Sequence, residues 1–340
     1  MNQIDVCINY YGKPYHTAVT LLTLWKHSSK HIHKIYLVIE KIQPYYQYDA
    51  IPLLKYFLRD LPIEYVYPQY FYYSGNPEES WLSDPEKRYG LKYQYALEKS
   101  DKEFLFMSHN DCLYEDDLLG KMLTRVKEET AAGNASKNGA GTVAGIGLVG
   151  QCWNCPAFSA KLCDGSRFEN FVPTKEELTE LVDTYNPPRA HIHYKLIDRE
   201  IIHPLPECRL NEYACLINVP VYRKNVVPTG DILPFGGSWH GTDWGAIWFH
   251  SLFNRGYKFI NFPFEPHMQH APFSNNGSGH RADTEFDLYK NSEEGAKIYL
   301  LSHNLIPKDI PFTLKLERQA IRTKHQIRNL LIKLKVKLMG

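Results

Sequence analysis

No stretch of this chain approaches the roughly 18 consecutive apolar residues that a membrane-spanning helix needs, so nothing in it reads as a bilayer crossing. An imbalance of charge is also missing: 39 Lys and Arg stand against 38 Asp and Glu, which gives no reason to expect nucleic acid as a partner. The opening residues, MNQIDVCINYYGK, have no basic segment followed by an apolar one, so no secretory signal is read. No internal repeat is present, which removes solenoids and propellers from consideration. The seven cysteines are an odd number in a large chain without an export signal, and that favours a reducing compartment over a disulfide framework. The expected location is cytoplasmic.

What the chain does have is organised around Phe104 to Leu119, FLFMSHNDCLYEDDLL. Phe104 to Met107 is a short apolar run of the kind found in a strand buried on both faces. It stops at Ser108, His109, Asn110 and Asp111, and the acids Glu115, Asp116 and Asp117 then precede Leu118 and Leu119 as in a helix's first turn. A strand, a polar tip and an acidic helix start are how an open α/β sheet presents ligands at the carboxyl ends of its strands. A strand followed by an Asx turn and an N-cap would look the same from this segment alone.

Upstream, strands at Ile4–Ile8, Ile35–Ile39 and Ile63–Tyr67 alternate with helical patterns after Lys13 and over 48–61, which implies a parallel sheet with right-handed crossovers. A helix over 90–99 feeds the central strand, and another follows it over 118–129. The small-residue run AAGNASKNGAG reads as a surface loop. The strand GIGLVG comes next, then an irregular segment, 156–206, with one helical piece at Lys175–Asp183. Tyr213–Val221 reads as a strand, Trp244–Phe253 as a helix that Gly256 closes, and Tyr257–Phe262 as the last strand, with a polar, loop-like tail through His270.

Together these pieces resemble the nucleotide-diphospho-sugar transferases of GT-A fold, most nearly the inverting family-2-type glycosyltransferases. Four segments carry the resemblance: INYYGK, KIYLVIE, RYGLKYQYALEKSDKEFLFMSHNDCLYEDDLL and GTDWGAIWFHSLFNRGYKF. It implies a Rossmann-like, mostly parallel central sheet flanked by helices. Residues 1–270 would form the transferase domain, with 1–125 as the nucleotide-sugar half and 143–270 as the acceptor half interrupted by an insertion at about 156–206. An extension, 271–313, and a basic amphipathic helix, 314–340, would follow. The resemblance places a nucleotide-sugar donor against Asn9, Tyr10, Tyr11, Glu40, Arg88, Lys92, Asn110 and Asp111. It places a divalent cation, Mn²⁺ or Mg²⁺, on Asp111, Asn110 and His270, and makes Asp243 the catalytic base. Trp239 and Trp244 flank that base, where aromatic rings could stack on a sugar acceptor. Where the family writes Asp-x-Asp-Asp, this chain has Ser108-His109-Asn110-Asp111, so one carboxylate survives; Asn110 still offers a carbonyl oxygen, and His109 a nitrogen for softer divalent ions.

Read by spacing alone, Asp243 fits an N-cap for the helix at Trp244 better than a base, and Glu212 and Asp231 are the next carboxylates for a base. A nucleotidyltransferase of the same fold would need a Gly-rich, Arg- or Lys-bearing phosphate loop near the N-terminus, and INYYGK has a single Gly. A non-catalytic nucleotide- or carbohydrate-binding protein with a degenerate Asp-x-Asp is the reading of another class. Cys152 and Cys155 form a Cys-x-x-Cys, with Cys163, Cys208 and Cys215 further on; only one pair is close in sequence, which favours buried thiols over zinc. In the tail, Lys315, Arg318, Arg322, Lys324, Arg328, Lys333, Lys335 and Lys337 face one acid, Glu317, while Ile327, Leu330, Leu331, Leu334 and Leu338 share a helical face. That pattern suits a helix lying on an anionic membrane surface, peripheral to its inner face, and equally a terminal helix docking on its own domain.

Overall fold

The computed structural model describes residues 3–43, 45, 49–72, 77–132, 141–273 and 285–339. A seven-stranded sheet runs in the order β3-β2-β1-β4-β7-β6-β8. Its strands are β1 (Ile4–Tyr10), β2 (Ile32–Ile39), β3 (Ile63–Val66), β4 (Phe104–Ser108), β6 (Val143–Val149), β7 (Leu210–Asn218) and β8 (Lys258–Asn261). All are parallel except β7, which lies antiparallel between β4 and β6. This is the α/β class and mostly parallel sheet that the alternating pattern implied. A small antiparallel pair, β5 (Cys112–Tyr114) with β9 (Met268–His270), stands apart from it. The sequence reading took 266–270 as loop and missed β5, because three-residue strands leave no periodic trace.

The sheet divides the protein into two cores, and strand alternation assigns each residue to one of them. Ile4, Val6, Ile8, Ile35, Leu37, Phe104, Phe106 and Leu216 face one side, where helices Pro14–Ser28, Ala50–Phe57 and Leu118–Ala132 cover them. Cys7, Tyr36, Val38, Leu105, Met107, Cys215 and Ile217 face the other. The segment expected to be an irregular insertion builds much of that second layer: Phe168, Leu178, Val182, Ile197 and Leu205 are buried there. Residues buried on both faces explain why these strands read as continuous apolar runs.

Two boundaries differ from expectation for a local reason. The Tyr213–Val221 strand ends at Asn218, whose Oδ1 accepts from Val221 N at 3.0 Å and starts the helix Val219–Asn225 with Pro220 in its first turn. The helix expected from Trp244 begins at Ala246, with Gly245 (φ 80°) before it. The loop expected over AAGNASKNGAG lies almost wholly outside the described residues. Among the described residues, no helix is long and apolar enough to cross a membrane.

The strand order reverses between β1 and β4, the point at which an open α/β sheet offers a ligand site at the carboxyl ends of its strands. Its rim is Asn9 to Lys13 on one side and His109 to Asp111 on the other. The C-terminal chain reinforces the first side. Helix Phe286–Ser302 packs into the same core through Ala296 and Leu300. Its Glu293 carboxylate accepts from Tyr15 N (2.9 Å), His16 N (3.0 Å) and His16 Nδ1 (2.9 Å). Tyr15 N and His16 N are open N–H groups of the helix Pro14–Ser28, to which its own N-cap, Lys13, offers no side chain. Glu293→Ala is expected to cost about 2–4 kcal/mol, combining a lost cap with lost charge-assisted bonds. A urea midpoint that does not move would refute this capping role.

Candidate active site and metal centre

Three side chains converge at the carboxyl end of β4. Ligand atoms of His109, Asp111 and His270 all lie within 4.8 Å of one another. His109 and Asp111 follow β4 directly, and β9 delivers His270 by pairing it with Cys112. Tyr213 supports both imidazoles: its carbonyl accepts from His109 N (3.1 Å), and its ring stacks on His270 at 4.5 Å. Asp111 is buried. Its Oδ2 accepts from Lys13 Nζ at 3.2 Å, whereas Oδ1 has no hydrogen bond and meets His270 Nε2 at 3.4 Å.

The electrostatics follow from burial and neighbours. Burial pushes the Asp111 carboxyl up, but Lys13 and the two histidines outweigh it and hold the group well below the usual carboxylate range. Burial lowers His109 to about 4 against the pull of Asp111, so its imidazole is neutral at neutral pH. His270 goes the other way, because the adjacent carboxylate outweighs burial and raises it. A buried carboxylate oxygen left without a donor, faced by two imidazoles, suits a divalent cation with mixed oxygen and nitrogen preference better than the oxygen-seeking Mg²⁺. A second cluster, Asp5, His33 and Asp101, lies at the opposite ends of the strands. Both Asp5 oxygens are already bonded there, to His33 at 3.0 Å and Ser100 at 2.6 Å.

Beside the triad, Asn9 Nδ2 donates to Glu40 Oε1 (2.7 Å) and Asn9 Oδ1 accepts from Tyr93 N (3.3 Å). Burial raises Glu40, with Lys92 and Asn9 opposing. The Lys92 ammonium lies 4.2 Å from the centroid of the Trp244 ring. The Lys92 backbone itself passes so close to Gly236 that a Cβ there would fall 2.0 Å from Lys92 O. Tyr11 is half-buried, its ring stacked on Phe71 at 5.5 Å.

Further along lies a group of acids interleaved with arginines. Arg209, fully buried at the start of β7, donates from Nη2 to Asp243 Oδ2 (3.0 Å) and meets Glu212 at 3.4 Å. Arg189 Nη1 also donates to Asp243 Oδ2, and its Nε meets Glu207 at 3.2 Å. Burial pushes Asp243 up, but the two guanidiniums outweigh it and hold the carboxyl below its usual range. In Glu207 burial prevails over the same arginines and raises the group to about 7. Glu212 links the two clusters electrostatically, since its charge raises both His109 and His270.

Several sequence expectations need correction. Tyr10 is fully buried in the core and cannot meet a ligand at the surface. Arg88 is occupied: its guanidinium donates twice to Glu98 (2.6 and 3.0 Å) and once to Leu82 O. Trp239 is a core residue whose Nε1 donates to Pro234 O at 2.6 Å. Asn110 turns its Nδ2 to Gly12 O (2.9 Å) and Thr17 Oγ1 (3.0 Å), tying the strand end to the β1 turn, and His109 takes the place beside Asp111. Asp243 is no N-cap, because the helix starts at Ala246 after Gly245 and the carboxylate is held by arginines. Lys13, Arg189, Glu207 and Arg209 were not foreseen. Lys13 stood inside INYYGK, Arg189 lies in the segment without periodicity, and Glu207 and Arg209 follow directly after it.

No protein-family model matches the sequence, and no curated protein matches it. Among solved structures, a mannosyltransferase from Pyrobaculum calidifontis, in complex with GDP-Man and Mn²⁺, aligns over 98% of this chain and 86% of its own, at 12% identity and a TM-score of 0.43. TarS 1-349 from S. aureus aligns over 79% of this chain and 61% of its own, at 11% identity and 0.41. Mouse xyloside xylosyltransferase 1 aligns over 78% and 86%, at 9% and 0.40. At these scores the likeness is loose.

The Asp111 geometry generates a direct test. Mn²⁺ is expected to stabilise the chain against thermal unfolding, by about 2.7 kcal/mol at a hundredfold excess over Kd. In Asp111→Asn that increment should vanish, on top of a lower metal-free melting temperature because the buried Lys13 ammonium loses its partner. An unchanged increment in the folded variant would remove Asp111 from the site.

Proposed function

We propose that this protein is a glycosyltransferase that moves a sugar from a nucleotide-diphosphate donor to a hydroxyl of a carbohydrate or lipid-linked acceptor, such as a polysaccharide or glycolipid precursor, with inversion. The observation that carries this reading is the pairing of two charged groups that Glu212 links, since it meets Arg209 at 3.4 Å and acts electrostatically on His109 and His270. The His109–Asp111–His270 group with Lys13 lies at the switch point of the sheet, and an accessible, ionised carboxylate, Asp243, lies beyond it. The nucleoside end would meet Tyr11, beside Asn9 and Glu40, which are buried and bonded to each other, and the diphosphate would meet Lys13 and Lys92. His109, Asp111 and His270 would hold Mn²⁺, which supplies positive charge to a leaving diphosphate. The acceptor would lie over Trp244 and Asp243.

In the transfer the acceptor oxygen bonds to the anomeric carbon as the bond from that carbon to the diphosphate oxygen breaks. The hydroxyl proton passes to the base. Of the three carboxylates in the acidic cluster, Asp243 has the most accessible side chain, 35% exposed against 14% for Glu212 and 3% for Glu207. Arg189 and Arg209 weaken it as a base but keep it ionised into the acid range. They also fix its orientation, which is the larger requirement for proton transfer in a positioned complex.

The tail supports an attachment to an anionic membrane surface. The first turns of helix Phe312–Met339 dock on the domain: Leu314 is buried, and Arg318 and Arg322 bond to Asp49 at 3.0 and 2.8 Å. Beyond them Ile327, Leu330, Leu331 and Leu334 are about half exposed. Each basic residue near such a surface contributes about 1 kcal/mol. Truncation after Thr323, which spares both Asp49 contacts, should abolish co-sedimentation with anionic vesicles and leave the melting temperature unchanged. Equal co-sedimentation of the truncated chain would exclude the tail as the anchor.

The decisive assay is release of nucleoside diphosphate from GDP- and UDP-sugars with Mn²⁺ and acceptor present. Asp243→Asn should lower turnover roughly 10²–10⁴-fold while nucleoside-diphosphate affinity changes little. Full activity in that variant would move the base to Glu212. Tight diphosphate binding with no turnover on any donor would identify a binding protein instead, and pyrophosphate release from a triphosphate would identify nucleotidyl transfer.

A further inference from the structure

The helix Ala190–Ile197 runs beside the loop that carries Asp243, and its exposed side is basic. Arg189, just before the helix, donates to Asp243. Further along, the Lys195 ammonium comes so near the loop that a Cβ on Gly241 would lie 3.4 Å from Nζ. His191, Lys195 and Arg199 follow one another at intervals of four, the spacing that sets side chains on one face, and all three are exposed. The loop adds His240, whose backbone takes a left-handed form (φ 56°) immediately before Gly241 (φ 81°). Burial lowers the His240 pKa, and the charge of Arg199 lowers it further against the pull of Glu79, so that guanidinium lies near the imidazole. The acids of the helix region are engaged elsewhere. Asp183 accepts from Tyr194 Oη, Glu200 pairs with Lys175 at 2.8 Å, and Asp198 acts on the same lysine. Among the described residues, Lys195 and Arg199 have no carboxylate within salt-bridge reach. Arg189 and Arg209, by contrast, are committed to Asp243, Glu207 and Glu212.

We propose that Lys195 and Arg199, with His240, form a subsite for an anionic group, phosphate or carboxylate, carried by the acceptor, which makes the acceptor a charged glycan rather than a neutral one. Its identity as an acceptor rests on the glycosyltransferase reading; the binding of an anionic glycan does not. Electrostatics supply the reason for such a row. The ionised Asp243 would repel an anionic acceptor, and nearby cations without acid partners offset that repulsion and draw the acceptor in. Gly241 precedes Asp243 by two residues, at most about 7 Å of chain. A glycan held by its charge at Lys195 therefore keeps a hydroxyl within a sugar ring's reach of the base.

The test is direct titration of the full chain with three oligosaccharides of equal length, one bearing phosphate, one bearing uronic carboxylates and one neutral. The parent should bind a charged oligosaccharide about 5- to 30-fold more tightly than the neutral one, the range that two exposed charge contacts supply. Rising salt should erase the difference, and whichever charged form is preferred identifies the anion. The double variant Lys195→Gln with Arg199→Gln changes two exposed positions and should lose the preference. In the transfer assay it should raise KM for the charged acceptor by the same factor with kcat little changed. The proposal is overturned if the parent binds neither charged oligosaccharide, if it binds charged and neutral ones equally, or if the preference survives in the folded double variant. A preference that the variant loses, with no nucleoside-diphosphate release from any donor, keeps the anion subsite and sinks the transferase reading instead.

Discussion

The buried carboxylate of Asp111 is the point on which the structure depends. A charge removed from water is tolerated only with partners of good geometry, and those partners come from segments far apart in the chain. Lys13 arrives from the turn after β1, His109 from the end of β4 and His270 from β9. The small β5–β9 sheet makes sense in this light. Its ladder sets His270 opposite Cys112, and Ala271 N donates to Asp111 O at 2.7 Å, so backbone pairing carries an imidazole to the carboxylate. One Asp111 oxygen goes to a protein cation and the other is left facing two imidazoles. That division lets a fixed lysine and an exchangeable ion act on the same ligand.

From there the charges alternate. Lys13, Asp111, the histidines, Glu212, Arg209, Asp243, Arg189 and Glu207 form a strip in which every acid has a cation within reach. Two acids that share Arg189 differ in a way burial explains. Asp243 keeps access to solvent and two guanidiniums, so its charge persists; Glu207 is sealed in, so the same arginines cannot prevent its rise to about 7. Neighbouring carboxyls therefore carry different protonation states.

The sheet was legible because its strands are buried on both faces and bounded by polar tips, which makes Ile35–Ile39 and Phe104–Met107 unmistakable as runs. Asp111 was legible for the same reason: it is the surviving carboxylate after a strand that could only be central. Periodicity could not reveal the residues that complete the site. Arg209 lies at the start of a strand but after an aperiodic stretch, and Arg189 follows two prolines and precedes the helix Ala190–Ile197. The errors have a common cause. Arg88, Tyr10 and Trp239 have the chemistry of ligand-binding groups, and sequence gives no sign that Glu98, the core and Pro234 O have already engaged or enclosed them.

The C-terminal chain then has a part in the site that its position in sequence conceals. Lys13 adopts a left-handed conformation (φ 55°), directly after Gly12 (φ 76°), and a residue with a Cβ holds that shape only when its surroundings over-determine it. The surroundings are supplied by helix Phe286–Ser302. Tyr289 Oη accepts from Lys13 N at 2.9 Å, and Glu293 accepts from the next two N–H groups that have no helical partner. Bonded on the backbone side, the turn aims its ammonium at Asp111, and Thr17 Oγ1, donating to Lys13 O at 2.8 Å, closes the same turn from within. The lysine's reach into the site thus depends on a helix more than 270 residues away in sequence. For that reason residues 285–302 belong physically to the β1 half of the site rather than to an appendage of it.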